Sequence, residues 1–98
     1  MQLTNSQLRH LRGLSHHISP VVIVAGKGLT DNVMAEVEQA LEHHELIKVK
    51  LRADRSTRAT WAEQISRATG AVTVQTIGQV ACFYRPNPER RVVELPRP

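Results

Sequence analysis

Val21-Val22-Ile23-Val24-Ala25-Gly26-Lys27-Gly28 reads as a short strand running into a glycine-rich loop. The first four residues are β-branched and apolar at both parities, the pattern of a central strand covered on both faces. Ala25 to Gly28 breaks it, and Thr30 then offers an N-cap for a helix reaching about His44. Within that helix Val33, Val37, Ala40 and Leu41 form a buried stripe with Met34 beside it, and the Glu residues take the outer faces.

Upstream, Thr4 caps a first helix reaching about His17. Leu8, Leu11, Leu14 and Ile18 recur on one face, and Arg9, Arg12 and His16 recur on another. Gly13 weakens this helix and is expected to mark close packing. Downstream, Ile47, Val49 and Leu51 alternate with Lys48, Lys50 and Arg52, a strand with one core face and one basic face. Asp54-Arg55-Ser56 reads as a turn with Ser56 as N-cap. The third helix buries Ala62, Ile65 and Ala68 or Thr69, with Trp61 at its edge and Gly70 at C′. Ala71–Ile77 and Gln79–Arg85 flank Gly78 as a hairpin. The order is α-β-α-β-α-β-β. Each β-α-β unit implies a parallel pair, and the hairpin adds an antiparallel strand. The fold expected is α/β, one domain, a four-stranded mixed sheet with three helices.

The 98 residues suit one domain, and 41% hydrophobic residues argue against disorder. The longest aliphatic run, Val21 to Ala25, is far short of the ~20 residues of a membrane span. No apolar signal region precedes the first helix, where Arg9 and Arg12 intervene. The one cysteine, Cys82, excludes an internal disulfide and a Cys-based zinc site, and a reducing cytoplasm is the simplest home.

Charge is unevenly placed. Residues 1–30 carry three bases and no acid, residues 31–45 five acids and no Lys or Arg, and residues 46–98 ten bases and four acids. Such segregation favours an anionic partner over simple solubility. With only Trp61, Phe83 and Tyr84 as aromatic side chains, gripping a phosphate backbone is the better expectation than reading bases by ring stacking.

The loop Ala25-Gly26-Lys27-Gly28 fits that chemistry. Glycines admit close approach, Lys27 adds charge, and a helix dipole follows. Four residues alone also fit a plain strand-to-helix turn, and Asp31 offsets the same dipole. Neither the Walker spacing nor a dinucleotide fingerprint is present. His16-His17 and His43-His44 diverge by ~100° on a helix and do not face one metal. Cys82 has no neighbouring base and the carboxylates show no paired arrangement, so no catalytic site is expected. Lys48, Lys50 and Arg52 fit a solvated strand face as well as part of a shared basic surface with Arg9, Arg12 and Lys27.

Leu11-Arg12-Gly13-Leu14, Pro20-Val21-Val22, Gly28-Leu29-Thr30, His43-His44-Glu45-Leu46-Ile47-Lys48-Val49-Lys50, Thr69-Gly70-Ala71, Ile77-Gly78 and Tyr84-Arg85-Pro86 resemble the CRM domain (chloroplast RNA splicing and ribosome maturation) over about residues 3–86. With no other domain, the chain is similar to the stand-alone bacterial, YhbY-like type. The resemblance implies a fold similar to the C-terminal domain of a translation initiation factor. It also implies RNA binding and association with precursors of the large ribosomal subunit. The family's Gly-x-x-Gly loop, compared with the RNA clamp of KH domains, maps to Ala25, Gly26, Lys27 and Gly28. Ala25 stands in place of the first glycine and Gly26 supplies one a position later. If that first position needs a positive φ, Ala25 is strained there.

The expectation is a non-catalytic RNA-binding domain over residues 1–86, with a Pro/Arg-rich tail over 87–98 whose Val92, Val93 and Leu95 could dock. Its RNA-binding residues would be Ala25, Gly26, Lys27, Gly28, Arg9, Arg12, His16, Lys48, Lys50 and Arg52. It needs no cofactor, metal or small-molecule substrate, and no membrane. The competing reading is an adaptor that docks on the ribosome or a ribonuclease through the acidic second helix. A third is a subunit of an enzyme handling a small anion or nucleotide.

Overall fold

The computed structural model describes residues 2–98. The elements are α1 (Asn5–Ser15), β1 (Val22–Val24), α2 (Asp31–His44), β2 (Leu46–Leu51), α3 (Arg55–Thr69), β3 (Val72–Ile77) and β4 (Val80–Tyr84). This is the expected order of three helices and four strands, in one mixed sheet.

Local chemistry explains the helix ends. Thr4 and Gln7 form a reciprocal capping box at α1, and Thr30 Oγ1 accepts the Val33 N–H at α2. At α3 the cap is Asp54, whose Oδ1 accepts the Thr57 N–H at 2.8 Å, not Ser56 as expected. Both residues are good cap types; Asp54 wins because the helix begins earlier, at Arg55. That amide bond, above all, holds the Asp54 carboxyl below the usual aspartate value. α3 ends at Gly70 in the left-handed region.

The strand order is β1-β2-β4-β3. β1 runs parallel to β2, while β4 is antiparallel to both β2 and β3. The hairpin therefore folds back to insert β4 between β2 and β3, so the second β-α-β unit does not pair its own strands. β1 becomes an edge strand rather than a central one. Val22 and Val24 are buried, whereas Val21 and Ile23 are 52% and 51% exposed. A run apolar at both parities suits two covered faces, but here only one is covered.

Two hydrophobic cores lie on opposite faces of the sheet. α2 and α3 bury Val37, Leu41, Ala62 and Ile65 against Val22, Val24, Ile47, Val49, Leu51, Ala81 and Phe83. On the other face Leu11 packs with Leu46, Val74, Cys82 and Tyr84, joined by Leu14, Ile18, Val93 and Leu95. The period-two reading of β2 follows the pleat, with Ile47, Val49 and Leu51 in the first core and Lys48 and Lys50 on the α1 side. Gly13 marks no close packing: it is exposed, and an added Cβ would meet nothing within 4 Å.

Glu45, one of the five acids of residues 31–45, is fully buried at the end of α2, with φ of 61°. Its carboxylate accepts the backbone N–H groups of Asn87, Val92 and Val93 and faces Arg91 Nε at 3.5 Å. Burial pushes its pKa up, but the three amides and Arg91 outweigh this and hold it below the usual glutamate value. The tail has no helix or strand, but it is pinned here and along α1. Gln7 Nε2 donates to the Pro96 carbonyl, and His10 Nε2 lies 2.9 Å from the Glu94 carbonyl.

Candidate functional site

The loop between β1 and α2 is a tight turn. The Gly28 N–H donates to the Ala25 carbonyl at 2.7 Å, and the Thr30 N–H donates to the Gly28 carbonyl at 3.0 Å. The Gly28 amide is thus spent inside the loop and is not free to meet a phosphate. The Gly26 and Lys27 amides take no part in the loop's internal bonds. Positive φ falls on Gly26 (20°) and Gly28 (73°), not on Ala25. The substituted position therefore has no need of glycine. Gly28 also sits against Trp61: a Cβ there would lie 3.4 Å from the indole.

The first basic strand residue beyond β2 is brought to the loop. The Arg52 N–H donates to the Val24 carbonyl at 2.8 Å, immediately before Ala25. Lys50 pairs across the sheet with Ile23, and both face the α1 side. Arg9, Arg12 and His16 are exposed on α1. Arg12 is also structural, since its Nε donates to the Val74 carbonyl at 3.2 Å. His16 and Lys48 line one small pocket beside β3 and β4. Lys48 and Lys50 run along β2 from His16 at the end of α1 toward Arg52 beside the loop, while Arg9 lies further back on α1.

Acids are sparse along this path, with Asp31 just after the loop and Asp54 two residues beyond Arg52. Neither α1 nor any of the four strands contains Asp or Glu. The acidic helix α2 packs on the opposite face, and two of its carboxylates are engaged. Arg85 pairs with Glu38 at 2.8 Å and with Glu42 at 3.3 Å, and donates to the Thr69 carbonyl as well. This clamp ties β4 to α2 and α3 and lowers the free charge of α2.

Sequence reasoning passed over Arg55, Arg58 and Arg67, which border a cleft of about 870 Å³ between α3 and the hairpin. The three-residue spacing of Arg55 and Arg58 on one helix was the available signal. Arg58 is partly committed to the Ala53 carbonyl, and Arg67 pairs with Glu63 at 2.8 Å. A mostly aliphatic cleft of about 760 Å³ lies at the other end of the sheet from the loop, beside Leu14, Ile18, Val21 and Val93. Among the described residues no three His, Cys, Asp or Glu side chains are placed to hold a metal, and no helix is long and apolar enough to cross a membrane.

A single α/β domain with the acidic helix α2 on one face of its sheet and the cations of α1 and β2 on the other is thus defined by fold and charge. The sequence profile of the CRS1 / YhbY (CRM) domain matches residues 3–85, and the chain belongs to that family. A Haemophilus influenzae relative named "RNA-binding protein" is 50% identical over 96 residues, covering 97% of this chain and 96% of its own. Relatives from Pseudomonas aeruginosa and Bacillus subtilis are 44% and 36% identical, covering 91% and 96% of this chain and 86% and 99% of their own. Both bear names beginning "Probable RNA-binding protein". A Staphylococcus aureus protein solved in solution superimposes with a TM-score of 0.82 at 35% identity, over 97% of this chain and 100% of that one.

Proposed function

We propose that this protein binds RNA through the phosphate backbone, without catalysing a reaction. The observation that carries this is the charge separation across the sheet: no carboxylate arises from α1 or the strands, while Arg12, His16, Lys48 and Lys50 share that side. The Gly26 and Lys27 amides, the Lys27 ammonium and Arg52 continue the path at the loop, and Arg9 extends it along α1. Such contacts hold and orient RNA without reading its sequence. The names of the relatives support the same partner. The finer reading places the protein in the cytoplasm, on precursors of the large ribosomal subunit, where it assists their assembly. The family resemblance supports that step.

The test is a titration of the chain with RNA at rising salt. Each phosphate contact contributes about −0.7 to −0.9 to the slope of log K against log salt. With ~3–5 contacts, affinity falls on the order of 10- to 100-fold or more between 50 and 200 mM salt. A flat response would return attention to docking through α2. Crosslinking in cell extract, with the bound RNA sequenced, checks the ribosomal assignment: recovery without large-subunit sequences overturns it.

A further inference from the structure

On the α1 side, the sheet presents side chains in rows set by the strand pairing. Leu46 and Tyr84 form a row that α1 and the tail cover. The next row is Lys48, Cys82 and Gln75, and the one beyond it is Ile23, Lys50, Val80 and Ile77. α1 stops at Ser15, so this last row stays open, with Ile23 and Ile77 51% and 58% exposed. Where α1 stops, a pocket of about 200 Å³ forms between His16, Lys48, Gln75, Ile77, Val80 and Cys82.

We propose that this pocket takes one nucleobase of a single-stranded RNA, a reading that rests on the RNA-binding function above. Its size is below the ~300–1,000 Å³ of sites for drug-sized ligands, which suits a single ring system. Its walls match a base in kind. Ile77 and Val80 offer an apolar surface to the flat of the ring, above the buried Cys82. The Gln75 amide can both donate to and accept from a base edge. Lys48 stands where the phosphate attached to that base would lie. Charge complementarity selects RNA over an acidic protein segment, because the cations continue in both directions, to Arg12 on α1 and to Lys50 and Arg52 toward the loop. A strand gripped at the loop and along Lys50 has its bases free to turn onto the sheet. The scarcity of aromatic residues therefore does not remove base contacts; it moves them to an aliphatic surface.

The experiment compares two single-stranded RNAs of about a dozen nucleotides, one intact and one with every base replaced by an abasic ribose. Both are titrated against the whole protein and against the double variant Gln75→Ala, Ile77→Ala. Neither side chain belongs to a core, and circular dichroism checks that the variant is folded. The intact RNA should bind the natural protein roughly five- to tenfold more tightly than the abasic one. The double variant should lose most of that difference while binding the abasic RNA as before. Lys27→Ala should weaken both RNAs alike. Equal binding of the two RNAs by the natural protein overturns the proposal, as does an undiminished difference in the double variant. Both results leave the backbone-binding reading standing; only a failure of the natural protein to bind either RNA removes that reading with the pocket.

Discussion

The carboxylate of Glu45 accepts the backbone N–H of Val93 at 2.7 Å, across 48 positions of sequence. The same oxygen accepts Val92, and the other accepts Asn87, so one buried side chain closes the tail onto the end of α2. It also explains how a non-glycine residue holds φ of 61° at a helix end: several bonds over-determine the conformation.

Glu45→Ala should destabilise the protein by about 1–3 kcal/mol, since it leaves three backbone amides without their acceptor. Denaturant melts give the loss, and limited proteolysis should show earlier cleavage within residues 86–98. Unchanged melting would mean that the Glu45 bonds add nothing to stability.

Acid should act through the same carboxyl. Its folded pKa lies below the unfolded value, so the stabilisation is complete above the unfolded pKa and is lost as pH falls through the folded one. Asp54 contributes in the same direction. The protection of the Val92 and Val93 amides, corrected for intrinsic exchange, should fall as pH drops below about 4.5. In Glu45→Gln the tail amides should exchange at a pH-independent opening equilibrium. If the natural protein matches that variant after correction for intrinsic exchange, the latch is not ionic.

Loop variants divide by backbone geometry. Ala25→Gly should cost roughly 0.5–1 kcal/mol of stability and leave RNA affinity unchanged, because Ala25 is not in the positive-φ region. Gly28→Ala should cost about 1–2 kcal/mol, from its φ of 73° and the Trp61 indole beside it. Gly28→Asp therefore perturbs the fold as well as the charge. Lys27→Ala is the cleaner probe and should cost roughly 0.5–2 kcal/mol of RNA binding with an unchanged melt. An affinity equal to that of the natural protein would take the Lys27 side chain out of the interface.

Arg9 and Arg12 should separate. Arg9→Ala should weaken RNA binding and leave stability within about 0.5 kcal/mol. Arg12→Ala should weaken binding and also cost about 0.5–1 kcal/mol of stability, from its bond to the Val74 carbonyl. Equal melts for the two variants would show that the Arg12 bond adds no stability.

Lys48→Ala and Lys50→Ala should each reduce the salt slope by about 0.7–0.9. Both lie outside the cores, so their melts should move little. A slope equal to that of the natural chain would confine RNA to α1 and the loop.

The number, type and order of the elements were written locally. Leu11 and Leu14 lie a helical turn apart, Thr4 and Thr30 are cap residues, and the alternation from Ile47 to Leu51 sets one parity of β2 toward the core. These signals depend on neighbours a few residues away, so the chain carries them wherever it folds. The basic residues of the expected site were legible for the same reason, as spacings along α1 and β2. What lies across the sheet is not encoded that way. Val21 to Val24 has the composition of a central strand, and only the return of β4 to β2 left it at the edge. Glu45 looks in sequence like the other acids of residues 31–45; its burial depends on amides 42 to 48 positions distant. Arg12 finds its acceptor 62 positions away. The pocket at His16, Lys48 and Gln75 exists only where α1 stops over three strands. Local pattern determined which face each side chain would take; the pairing of distant segments decided which of those faces were covered and which were left open.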